Sequence, residues 1–176
     1  ADDWDWAVVA DLVVRSIAAL QRAGADFIII PNNTAHHAID LIQQQSPLPV
    51  LNMVEIAAQY CIEQSYQKVV ILGTEATMSG GLYDEVLQLG NINVRKPEQE
   101  VRVALNDMII NELVSQQLKR GSVSNIAEQL KSIPCDAFIL ACTELPSVFN
   151  QANLAKPCVD TTELLAAAAL ASSSAF

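Results

Sequence analysis

The 176-residue chain reads as an α/β protein of two pseudo-symmetric lobes, each a parallel sheet flanked by helices, with a cleft between them. Three observations predict this. Short apolar runs at residues 27–30, 68–72 and 137–141 alternate with stretches of helical periodicity, which implies parallel strands buried between helices. A repeat is the second. Asp26-Phe-Ile-Ile-Ile-Pro-Asn32 matches Asp136-Ala-Phe-Ile-Leu-Ala-Cys142, and Pro49-Val-Leu-Asn52-Met-Val-Glu55 matches Pro157-Cys-Val-Asp160-Thr-Thr-Glu163. Each half therefore runs strand, polar turn, helix, Pro-led short strand, helix, and a cleft between two such lobes is a common place for a small ligand. Third, the halves are unequal. The second has an extra strand, loop and helices ahead of its motif, whereas the first has only a helix over 4–22. The first lobe is thus expected to be N-terminally incomplete, with the counterpart of strand 68–72 falling before residue 1. On this reading residues 1–50 are the C-terminal part of the first lobe, 51–158 the second, and 159–176 a C-terminal helix returning to the first.

Taken in order, residues 4–22 set Val8, Val9, Leu12, Val13, Ile17 and Leu20 near helical spacing, with Gly24 as a stop. Residues 27–30 are expected as a strand buried on both faces. Asn33 or Thr34 can cap a helix over 36–44 that ends before Ser46-Pro-Leu-Pro49. A short strand ending at Leu51 leads to a helix over 55–64, packed through Ala57, Ala58 and Cys61. Strand 68–72 is followed by a loop over 73–81 rich in hydroxyls and glycine, a helix over 82–89 and a strand over 92–94. A long helix over 98–118 contains a break. The turn Lys119-Arg-Gly-Ser and a helix over 123–131 then feed strand 137–141.

Composition narrows the function. A hydrophobic fraction of 51% with 17% charged residues argues against disorder. The net charge of −10 disfavours nucleic acid and anionic membrane surfaces as partners, though not a small anion held by local donors. No apolar run is long enough to span a bilayer, and no signal peptide is visible. Cysteines at 61, 135, 142 and 158 fit neither a disulfide framework nor a paired zinc pattern, so a reducing cytoplasm is the expected setting.

The chemistry concentrates after strand 137–141, which delivers Cys142 to the strand edge where open α/β sheets bind ligands. Thr143, Glu144 and Pro146 look like the opening of a helix. A helix N-terminus beside a thiol lowers its pKa. A lone cysteine is more often a packing residue. The repeat changes those odds, because it sets Asn32 opposite Cys142. Asn33, Thr34 and Thr143 offer further donors at strand ends facing one cleft. The loop over 73–81 is neither a P-loop nor a GxGxxG fingerprint. Its hydroxyls, Thr74 among them, could hold a carboxylate, and an ordinary capped turn is an equal alternative. His36 falls on the first turn of its helix and could face the cleft, while His37 is expected at the surface. Neither has metal-ligand partners at suitable spacing, and no serine-hydrolase elbow or cofactor motif is present.

Pro31-Asn-Asn-Thr-Ala-His36, Leu140-Ala-Cys-Thr-Glu-Leu-Pro146 and the VDTTELLAAAA stretch at 159–169 resemble the aspartate/glutamate racemase superfamily. The Thr-Glu after Cys142 is similar to its aspartate racemase branch. The resemblance runs from about residue 4 to the end. It implies inversion at the α-carbon of an acidic amino acid such as aspartate, without pyridoxal phosphate, other cofactor or metal. Two cysteines would act on opposite faces, one as thiolate removing the proton and one as thiol returning it. Oriented N–H and hydroxyl groups around the α-carboxylate would stabilise the developing charge. Carried onto this chain, Cys142 is one of the pair and Asn32 stands where its partner cysteine belongs. Asn33, Thr34, His36, Thr74, Thr143 and Glu144 become the substrate contacts. A carboxamide neither takes nor gives a proton usefully at neutral pH. The chain is therefore an impaired or substrate-trapping racemase, a one-cysteine decarboxylase, or a member that binds a dicarboxylate without turnover. The family's Lys before a Gly is matched only loosely, at Lys119. Racemases of this family are often homodimers.

Overall fold

The computed structural model describes residues 4–173; Ala1–Asp3 and the last three residues, at the end of the expected C-terminal helix, lie outside it. Asp5 starts the fold, its carboxylate accepting from the N–H groups of Ala7 and Val8 at the head of α1 (Trp6–Arg22). The chain continues through β1 (Ile28–Ile29), a 3₁₀ turn (Thr34–Ala38), α2 (Ile39–Gln45), β2 (Val50–Leu51) and α3 (Met53–Glu63). Next come β3 (Lys68–Leu72), α4 (Glu75–Ser79), α5 (Asp84–Leu89), β4 (Asn93–Arg95) and α6 (Gln99–Asp107), which runs on as a π-helical turn (Met108–Leu113). The chain ends through α7 (Ser122–Lys131), β5 (Ala137–Leu140), a 3₁₀ turn (Leu145–Ser147), α8 (Gln151–Leu154), β6 (Cys158–Asp160) and α9 (Thr161–Ser173).

Among the described residues all strand pairs are parallel. β1 and β2 form one sheet, and β4-β3-β5-β6 the other. The predicted repeat is visible in the backbone. Ile28 pairs with Val50, and its N–H donates to Pro49 O at 2.8 Å; Phe138 pairs with Cys158 and makes the matching bond to Pro157 O at 2.9 Å. Asn52 caps α3 through Val54 and Glu55, and Asp160 accepts equivalently from Thr162 and Glu163 at the head of α9. α3 and α9, the helices these caps begin, pack against each other.

The larger sheet is covered on both faces, so its strands alternate between two cores. Val70, Leu72, Phe138 and Leu140 face α6, α7 and the π turn. Val69, Ile71, Ala137, Ile139 and Val159 face α3 and α5. Phe138 is fully buried, and truncating it leaves a void in a close-packed interior. Phe138→Ala should destabilise the fold by about 3–5 kcal/mol, read as a lower urea midpoint.

Three expectations are corrected. β1 is buried on one face only: Ile28 packs with α1 and α2, while Ile29 on the other face is 42% exposed. The loop over 73–81 contains α4, which Thr74 precedes as the N-cap residue. The long helix changes type at Met108 and ends at Leu113, well short of residue 118. Among the described residues no helix is long and apolar enough to cross a membrane.

Candidate active site

β1 and β5 end at the same cleft, of about 200 Å³. One wall is polar and comes from both lobes: Asn32, Asn33 and Thr34 after β1, Thr74 and Thr77 after β3, and Cys142, Thr143 and Glu144 after β5. The other wall is Ile109, Ile110 and Val114, from the π turn and the residue after it. Gly73 permits the close approach of the ends of β3 and β5. A Cβ there would lie 2.9 Å from the carbonyl oxygen of Ala141, one residue before the thiol.

Cys142 is half-buried, and its Sγ donates to Glu144 Oε2 at 2.9 Å. The Thr143 hydroxyl donates to the same oxygen at 2.8 Å. Burial, and then the Glu144 carboxylate, push the thiol up to about 12, and the bond from Cys142 holds the Glu144 carboxyl below its usual range. This corrects the expected lowering by a helix N-terminus. The 3₁₀ turn after Cys142 is only three residues long and has little dipole to offer, and a carboxylate lies against the thiol instead. Glu144→Gln removes that negative charge, so the thiol should ionise at lower pH. Alkylation of Cys142 by iodoacetamide should speed up at a fixed pH of about 8; an unchanged rate would remove Glu144 from this role.

Asn32 uses its side chain locally. Its Oδ1 accepts from Ala35 N–H at 2.9 Å, so Asn32, rather than the expected Asn33 or Thr34, ties down the turn after β1. The carbonyl of Asn32 accepts from His36 Nδ1 at 2.9 Å, and His36 Nε2 accepts from Met53 N–H at 3.1 Å. Those two bonds assign a neutral ring protonated on Nδ1. Burial lowers the pKa of His36 as well. The structure thus places His36, 1% exposed, behind the cleft rather than on it. His36 pins the Asn32 loop to the head of α3. His37 is partly covered and stacks on Trp6.

Asn33 is buried and joins the lobes. Its Oδ1 accepts from the Tyr83 hydroxyl, and its Nδ2 donates to Thr161 Oγ1 at 3.2 Å. Thr161 in turn donates to Leu140 O at 3.0 Å, at the end of β5. Thr74 and Thr77 share a hydroxyl contact of 3.2 Å. Lys119 does not reach the cleft lining: its Nζ lies 3.2 Å from Glu112 and 3.9 Å from Asp107. Cys142, Asn32, Asn33, Thr34, Thr74, Thr143 and Glu144 are therefore gathered at one site, and His36 and Lys119 are not. Sequence reasoning missed Tyr83 and Thr161 as site-building residues, and the whole apolar wall.

The sequence profile of the Asp/Glu/hydantoin racemase family matches residues 1–169. The chain belongs to that family. It is 31% identical over 156 residues to the broad specificity amino-acid racemase RacX of Bacillus subtilis, covering 88% of this chain and 67% of RacX. Its fold is similar to that of an aspartate racemase homologue from Pyrococcus horikoshii OT3, with a TM-score of 0.78 at 28% identity over 93% of this chain and 73% of that one. It is also similar to the Picrophilus torridus aspartate racemase, with a TM-score of 0.77 at 27% identity over 93% and 68%. The chain spans about half the length of the glutamate racemases it matches, 49% for that of Aquifex aeolicus at 25% identity over 72% of this chain.

Proposed function

We propose that the cleft binds a small amino acid and exchanges the proton on its α-carbon, with Cys142 as the proton-transfer group and Asn32 as a non-ionising partner. The observation carrying this is the symmetric placement of residues 32 and 142, which come after matching strands and line one cleft in a chain of a racemase family. The Thr34 and Thr74 hydroxyls lie in the same lining and supply donors for a carboxylate, which takes up charge as the α-C–H bond breaks. Inversion requires an acid and a base on opposite faces of that carbon. This chain keeps one, so the expected reaction is exchange with retention: the thiolate takes the α-proton, and the same thiol returns a proton from solvent.

Aspartate is the substrate the resemblance favours, and both structural neighbours carry aspartate racemase in their names. The test is loss of the α-proton signal of a D- or L-amino acid in heavy water. Because the thiol is pushed up to about 12, its thiolate fraction rises with pH, and exchange should climb roughly tenfold per pH unit between about pH 7 and 10. A flat or falling profile contradicts Cys142 as the base.

One observation favours a second reading. Glu144 holds Cys142 as a thiol, the state suited to protonating a carbanion rather than forming one. In a decarboxylation of a malonate-like acid the bond to the departing carboxylate breaks and its electron pair stays on the α-carbon. The S–H proton is then delivered, and the thiolate is reprotonated by water. Release of carbon dioxide from a malonate without α-proton exchange would select this reading.

A further inference from the structure

We infer that the substituent on the reacting carbon is an uncharged aliphatic chain, received by Ile110 and Val114. This rests on the cleft being the substrate site. Ile110 is 49% and Val114 is 58% exposed, and both line the cleft beside the polar residues that would hold the carboxylate. Ile110 and Val114 are four residues apart and so share one face of the chain. Behind them Ile109 is packed in the core, and its carbonyl accepts from Val114 N–H at 3.0 Å, the i→i+5 bond of a π turn. Such turns recur at functional sites.

The wall is also kept uncharged. Among the described residues the cleft lining contains no Lys or Arg, and its ionisable groups are Cys142 and Glu144. Lys119 is drawn away by Glu112, whose buried carboxylate also accepts from the Lys119 N–H at 3.0 Å. A second carboxylate placed against Ile110 and Val114 would lose hydration without gaining a partner and would meet the charge on Glu144. An aliphatic chain instead removes the exposed apolar surface of both residues from water.

The test is calorimetric titration of the folded chain with L-leucine and with L-aspartate, alongside Val114→Lys and Ile110→Ser. Both substitutions fall at exposed positions that the core does not use. Leucine should bind about tenfold or more tightly than aspartate. Val114→Lys should reverse that order, and Ile110→Ser should weaken leucine alone. Aspartate binding as tightly as leucine, or leucine not binding at all, overturns the inference. Leucine bound preferentially without α-proton exchange keeps the inference and sinks the proposed reaction. Preferential binding and exchange of aspartate does the opposite.

Discussion

Cys142→Ala removes α-proton exchange, with a loss of about 10²–10⁴-fold or more, while the fold persists. The size comes from the cleft: the ionisable lining group that remains among the described residues is Glu144, and a carboxylate is a far weaker base than a thiolate. The fold survives because Glu144 Oε2 keeps its bond from Thr143, and a half-buried thiol leaves only a small void. Exchange and urea denaturation measured on the same sample separate the two effects. A folded alanine variant that exchanges at the original rate would exclude the thiol.

Asn32→Cys converts exchange with retention into inversion. The repeat sets position 32 against position 142, and the introduced thiol supplies the second proton-transfer group that two-face chemistry requires. The substitution has a local cost, because Ala35 N–H loses the Oδ1 acceptor that ties down the turn after β1. That cost should be about 1 kcal/mol. The His36 bonds use the backbone of residue 32 and remain in place. Chiral chromatography should show the D and L forms interconverting in the variant and not in the original chain. A folded variant that never inverts would mean that residue 32 does not face the reacting carbon.

Much of this arrangement was legible in the sequence because backbone symmetry leaves a linear trace. The paired Asp-to-polar runs and the Pro-led motifs identified which strands are equivalent, and Asn52 and Asp160 emerge as matching helix caps. Cys142 and Asn32 come from the same alignment. Features the chain did not reveal depend on partners distant in sequence. Nothing at His36 announces that Met53 N–H will claim its second nitrogen. The ionisation of Cys142 was misjudged for a related reason: a carboxylate two residues away outweighs a dipole that a three-residue turn scarcely has. The π turn was visible only as a break in a long helix. Helical periodicity predicts α-helical bonding, so the i→i+5 bond between Val114 and Ile109 could not be read from spacing.

The most direct measurement is the ratio of α-proton exchange rates for the two enantiomers of one amino acid in heavy water, taken on the original chain and on Asn32→Cys. With one proton-transfer group on one face, the original chain should exchange one enantiomer far faster than the other and leave its configuration unchanged. The variant should bring the ratio toward one and yield deuterated product of inverted configuration. Equal exchange of both enantiomers by the original chain would contradict the account, because a second group would then be working on the face assigned to Asn32.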